Sequence, residues 1–131
     1  MFDHVALTTG DFDASAAFYE AALAPLGFRR YDAPPEARSA GFGDGEIDLW
    51  IGEGGAVTGA LHLAFRATSR AAVDAFYAAA MAAGGRDNGP PGLRPRYHAD
   101  YYGAFVLDPD GHNVEAVCHL PCGALRTGLS P

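Results

Sequence analysis

The sequence is short of basic residues, of cysteine and of long apolar runs, and each shortage closes off a class of function. Lys and Arg number 9 against 16 Asp and Glu, a formal charge of -7. That balance repels phosphate backbones and anionic lipid surfaces, so nucleic acid and membrane are poor partners. Two cysteines, Cys118 and Cys122, are too few for a disulfide framework, and one isolated C-x-x-x-C is a poor zinc pattern. No stretch approaches the roughly 18 to 20 apolar residues of a membrane span. The opening MFDHVALTTGDF has neither the basic start nor the continuous apolar segment of a secretory leader. The expectation is a soluble cytoplasmic protein with reduced, structurally ordinary thiols.

What is present suffices for a core: 131 residues with 49% hydrophobic content predict one globular domain spanning 1–131. Periodicity predicts two helices. The first starts near Asp11 or Asp13, runs through ASAAFYEAALAPL and ends before Gly27. The second starts after Ser69, runs through RAAVDAFYAAAMAA and stops at Gly84-Gly85. A short strand-like run precedes each, HVALTT and LHLAFRA.

These halves are related by a constant offset. His4 and His62, Phe18 and Phe76, Tyr19 and Tyr77, Leu23 and Met81, and Gly27 and Gly85 all lie 58 apart. Strand candidates follow each helix: FRRYD, RSAGFG and EIDLWIG, then GRDN, YGAFVLD and HNVEAVCH. Each half finishes on a Gly-containing hairpin signal, GDGEIDLW and DPDGHNVEAV. The unit is strand, helix, then three strands, occurring twice: module 1 at about 1–55, module 2 at about 58–120, and a tail at 121–131. This pattern predicts an α+β fold, a curved mixed sheet with the helices on its outer face. Between the second helix and the last hairpin, GPPGLRPRYHADYY reads as a long Pro/Gly-rich loop, a feature that is more often functional than idle.

Side chains alternate across a strand, so each half offers a histidine on its first strand and a carboxylate on its last. With a one-residue insertion between the hairpins, Asp48 falls opposite Glu115. If each repeat supplies half of a concave surface, His4, His62 and Glu115 converge on one centre. A charge in an apolar strand is tolerable when a cation accompanies it. Two imidazoles and a carboxylate with open positions suit one divalent Fe, Mn, Ni, Co or Zn, and Asp48 stands as a candidate fourth ligand or general base. The competing reading makes each histidine a hydrogen-bonded core residue, with Glu115 bonded to Tyr19 or Arg66.

The motifs DHVAL, AAFYEAAL, LHLAF and above all DPDGHNVEAV resemble the vicinal oxygen chelate superfamily. That group includes glyoxalase I, extradiol dioxygenases, fosfomycin- and bleomycin-resistance proteins and methylmalonyl-CoA epimerase. The resemblance spans residues 1 to about 120 and implies paired βαβββ modules forming a half-barrel around a divalent metal. It also implies a homodimer, whose subunits share each site in glyoxalase-like members. The family's ligand positions fall on His4, His62 and Glu115, with Asp48 where glyoxalase I has glutamate. The shorter side chain weakens a glyoxalase assignment. The remaining His-His-Glu set resembles extradiol dioxygenases, which usually carry more modules. Bleomycin-type relatives bind their ligand without metal.

The segment RPRYHADYY gathers Arg94, Arg96, Tyr97, His98, Tyr101 and Tyr102 in an acidic chain. As a lid it offers arginines for an acidic substrate, with His98, Tyr101 and Tyr102 as substrate-binding groups. As a plain surface loop it is anchored by aromatic packing with its arginines solvated. Two functions remain: a metal-dependent lyase, isomerase or dioxygenase acting on a small oxygen-bearing metabolite, and a metal-free protein that sequesters a small molecule, with Trp50 and the tyrosines as stacking surfaces. The tail PCGALRTGLSP is expected to be an irregular extension bracing the dimer.

Overall fold

Each half of the repeat becomes one four-stranded sheet. The computed structural model describes residues 2–55, 59 and 61–121, so the tail beyond residue 121, with Cys122, lies outside the described residues. Strands β1 (Val5–Thr9), β2 (Arg29–Asp32), β3 (Ser39–Asp44) and β4 (Glu46–Glu53) form the order β1-β4-β3-β2. Strands β5 (His62–Arg66), β6 (Arg86–Leu93), β7 (Tyr102–Leu107) and β8 (Asn113–Cys118) repeat it as β5-β8-β7-β6. In both sheets the first strand runs parallel to the last, because a helix crosses between the first strand and the other three, and the remaining pairs are antiparallel. The expected curved mixed sheet is built as two four-stranded mixed sheets, one from each module, that are not closed into a barrel.

Helices α1 (Phe12–Leu23) and α2 (Arg70–Ala82) begin where the sequence provides caps. The Asp11 carboxylate accepts from the Ala14 N–H at 3.1 Å, and the Ser69 hydroxyl accepts from the Ala72 N–H at 3.1 Å. Each cap satisfies an otherwise orphaned donor and is worth about 1 kcal/mol. The two helices pack on each other, and α1 covers its own sheet as α2 covers the other. Phe18, Leu23, Phe42, Leu49 and Ile51 from the first half meet Val73, Phe76, Val106 and Val114 from the second in one core. Their close approach needs Gly85, where a Cβ would stand 2.4 Å from Val106 Cγ1 and 2.8 Å from the Phe18 ring.

A turn also joins the halves. The Asp108 carboxylate accepts from the N–H groups of Asp110 and His112 at 2.9 and 2.8 Å, which shapes the turn before β8. Its other oxygen accepts from the buried Tyr19 hydroxyl of α1 at 2.5 Å. Burial, then Asp108, push the Tyr19 phenol far above its ordinary range, so it stays a donor. Asp110 accepts from the Gly10 N–H at 3.2 Å.

The Pro/Gly-rich segment is not wholly a loop, because β6 extends through Pro90 and Pro91 to Leu93. It lies at the sheet's edge, where a missing N–H costs no ladder bond, and its pairing with β7 shifts register around Gly89. No helix among the described residues is long and apolar enough to cross a membrane.

Candidate metal centre

Alternation along β8 sends Val114, Ala116 and Cys118 into the core, and Glu115 and Val117 to the opposite face. Parallel pairing of Ala64 with Glu115 then brings His62 beside the glutamate. His62 Nε2 lies 2.8 Å from Glu115 Oε1, and the Tyr101 hydroxyl donates to Glu115 Oε2. Glu115 is 1% exposed, whereas the His62 side chain is 53% exposed. A buried carboxylate is thus reached from solvent through an imidazole. Burial, then Glu115, raise the Tyr101 phenol well above its usual value, so it acts as a proton-bearing donor. Gly103 leaves the room: a Cβ there would come within 3.3 Å of Glu115 Oε2 and 3.2 Å of the Tyr101 ring.

A second pair of imidazoles adjoins Tyr101. His98 Nδ1 accepts from the Asp100 N–H at 3.1 Å, which places the His98 proton on Nε2. That nitrogen faces His119 Nδ1 at 2.5 Å, with the rings stacked at 4.7 Å, and the Tyr101 ring sits edge-on to both. Partial burial, then His98, then Arg66 lower the His119 pKa. His119 adjoins the candidate site and was missed by sequence reasoning. The signal was the alternation of β8, since counting on by twos from Glu115 through Val117 arrives at His119. Tyr102, predicted as a substrate-binding group beside Tyr101, points the other way. Its hydroxyl donates to Asp74 of α2 at 2.6 Å and Arg70 stacks 5.1 Å from its ring centre.

His4 stands apart from His62 and Glu115 within this chain. Its imidazole bonds Asp3 at 2.6 Å, and it borders a hollow of about 270 Å³ with Asp48, Phe28 and Arg66. Among the described residues the three do not form a cluster with ligand atoms within 4.8 Å of one another. Each histidine follows its own sheet, and among the described residues no strand pairing joins the two sheets. Register also corrects the alignment of the halves. Ala6 pairs with Trp50 as Ala64 pairs with Glu115, so with His4 equivalent to His62 the place of Glu115 is held by Trp50. Asp48 corresponds to Asn113. The hairpin turns differ in length, so matching the turns misaligned the strands.

Asp108, Asp110 and His112 do bring three ligand atoms within 4.8 Å of one another. This makes them a second group able to hold a cation, but their atoms are engaged in the turn. Both Asp108 oxygens accept as described, and His112 Nδ1 accepts from the Leu61 N–H at 2.9 Å. An ion there would displace bonds that shape the turn, whereas the face of β8 offers an enclosed carboxylate with an accessible imidazole.

Two βαβββ modules with a histidine and a buried glutamate on one open face define the class of scaffold to which the chain belongs. The family model described as Glyoxalase/Bleomycin resistance protein/Dioxygenase superfamily matches residues 1–116, and the chain belongs to that superfamily. No curated protein matches the chain. A glyoxalase/bleomycin resistance protein from Albidiferax ferrireducens is 30% identical, covers 92% of this chain and 99% of its own, and superposes with a TM-score of 0.76. A glyoxalase-related enzyme from Fulvimarina pelagi is 27% identical over 88% of this chain and 86% of its own, at a TM-score of 0.67. The fosfomycin resistance protein FosX from Mesorhizobium loti shares the fold at 20% identity and a TM-score of 0.67, over 90% of this chain and 91% of its own.

Proposed function

We propose that the protein is a divalent-metal-dependent enzyme acting on a small oxygen-bearing metabolite, of lyase, isomerase or dioxygenase type, working as a cytoplasmic homodimer. His62 and Glu115 would hold one divalent ion per site, with His4 of a second copy as the third ligand. The reading is carried by one observation: a carboxylate that is 1% exposed meets a solvent-reaching imidazole at 2.8 Å, with no lysine or arginine paired to it among the described residues. The donor set of imidazole nitrogen and carboxylate oxygen fits borderline divalent ions, and Gly103 makes room for the Tyr101 ring against the second glutamate oxygen. A bound divalent ion supplies Lewis-acid stabilisation of negative charge developing on a substrate oxygen.

The chain's own residues would do the rest. Tyr101 fixes the rotamer of Glu115 through its hydroxyl bond, and its high pKa keeps that proton in place. His98 and His119 brace the Tyr101 ring and offer an ordered imidazole pair as substrate-binding wall.

Elemental analysis of protein purified without chelator tests the reading. A stoichiometric divalent ion that His62→Ala abolishes supports it, and a metal-free wild type overturns it. A second reading, a metal-free protein sequestering a small molecule, is favoured by one observation: both Glu115 oxygens have hydrogen-bond partners within the chain, His62 and Tyr101. That reading predicts the metal-free outcome.

A further inference from the structure

The arginines of this acidic chain are unevenly neutralised. Arg30 pairs with Glu20 and Asp32, Arg38 with Asp13 and Glu53, and Arg70 with Asp100. Arg29, Arg66, Arg86, Arg94 and Arg96 have no carboxylate in ion-pairing range among the described residues, although acidic side chains outnumber basic ones. Of these, Arg94 and Arg96 line a common hollow, of about 260 Å³, together with Phe105, Tyr97 and Asn113.

Arg94 is held in place before any ligand arrives. Its guanidinium donates to the Pro90 carbonyl at 2.8 Å and the Leu93 carbonyl at 3.5 Å, and lies 5.3 Å from the centre of the Phe105 ring. These neutral partners fix the fork without cancelling its charge. Arg96 lies 5.2 Å from the Tyr97 ring centre and donates to that hydroxyl at 3.4 Å. Two uncompensated cations beside one hollow repel each other, and an anion between them relieves that repulsion. The hollow also adjoins the candidate centre. Phe105 is the strand partner of Glu115, its ring is 6.3 Å from that of His62, and Tyr97 packs on Tyr101 at 4.9 Å.

We propose that Arg94 and Arg96 form an oxyanion subsite that anchors a carboxylate, phosphate or phosphonate end of the substrate, with its other end reaching His62 and Glu115. This deepens the proposed function and rests on the reading that this face of the second sheet is the site. Guanidinium forks match planar or tetrahedral oxyanions with paired charge-assisted bonds. A positive hollow on a negative protein also concentrates small anions at that one place.

The test is calorimetric titration of the chelator-treated, metal-free protein at low ionic strength with inorganic phosphate and, separately, with acetate. Saturable binding that weakens as salt rises is expected. Arg96→Ala should weaken it by roughly ten- to a hundredfold, the range for losing a hydrogen bond to a charged group. Arg94→Lys, chosen because Arg94→Ala would also free the end of β6, should weaken it less. Arg86→Ala removes an exposed arginine with no carboxylate partner among the described residues, outside the hollow, and should change nothing. Tighter phosphate than acetate assigns a phosphoryl or phosphonyl group, and the reverse assigns a carboxylate.

Absence of saturable binding to either anion overturns the proposal. So does an Arg96→Ala affinity equal to wild type, or an equal loss in Arg86→Ala. Because the titration contains no metal, the two ideas fail separately. Anion binding without metal uptake by the untreated protein removes the enzyme reading and keeps the subsite, and metal uptake without anion binding does the opposite.

Discussion

The first and second sheets share strand order, parallel and antiparallel pairings, a capped covering helix and a histidine at the head of the first strand, yet their open faces differ in kind. Where the second presents Glu115 beside His62, the first presents Trp50 on the strand partnered with β1. A duplicated scaffold therefore does not imply a duplicated centre. A buried carboxylate is tolerated only where hydrogen-bond donors surround it, and the second half has His62 and Tyr101 in place. The aromatic ring in the first half needs no such company.

Exchanging or deleting the distinguishing groups sharpens this comparison. The largest effect is expected from Glu115→Gln, which should abolish stoichiometric divalent ion in elemental analysis, while Asp48→Asn should leave it intact. An equal loss in both variants would restore Asp48 as a ligand. Next come the core phenylalanines, both fully enclosed. Phe18→Ala and Phe76→Ala should each lower the urea unfolding free energy by about 3–5 kcal/mol, and a large inequality would show that one sheet carries most of the stability.

The paired tyrosines should diverge. Tyr19→Phe leaves Asp108 short of a buried donor and should cost about 1–3 kcal/mol, whereas Tyr77→Phe removes only a solvent-side bond to Asp87 and should stay within about 0.5 kcal/mol. The smallest effect concerns acid. The His119 pKa is lowered on folding, so its contribution is complete above 6.5, the value of the free imidazole, and fades as pH falls through the lower folded value. His119→Asn should flatten that acid-side decline in unfolding midpoints, and only slightly, because the ring is largely solvated.

Much of this architecture was legible in the residues. The 58-residue offset marks two copies because a repeated unit must repeat its core positions. Asp11 and Ser69 announce the helices because hydroxyl and carboxylate caps satisfy orphaned N–H groups. Glu115 was readable as a residue needing company because a lone charge in an apolar strand requires a partner, and His62 is that partner in space. Other features depend on facts a linear pattern does not hold. The prolines of β6 concealed a strand, since only its place at the sheet's edge makes them harmless. Turn matching set Asp48 against Glu115, whereas backbone pairing, which tolerates turns of unequal length, sets Trp50 there. Tyr101 and Tyr102 were grouped by adjacency, yet neighbours on extended backbone face opposite ways, and Tyr102 went to α2. His4 shares its position in the repeat with His62 but not its surroundings in a single chain.

The Asp108 turn has a consequence beyond holding α1. Because it grips the start of the first half through Tyr19 and Asp110, the latch for the amino-terminal copy is encoded in the carboxy-terminal one. The two copies are thereby tied to each other, and the face of the first differs in chemistry, as Trp50 illustrates, without loosening that tie. Such a clasp lets a repeated architecture keep both halves together while their open faces carry different chemistry.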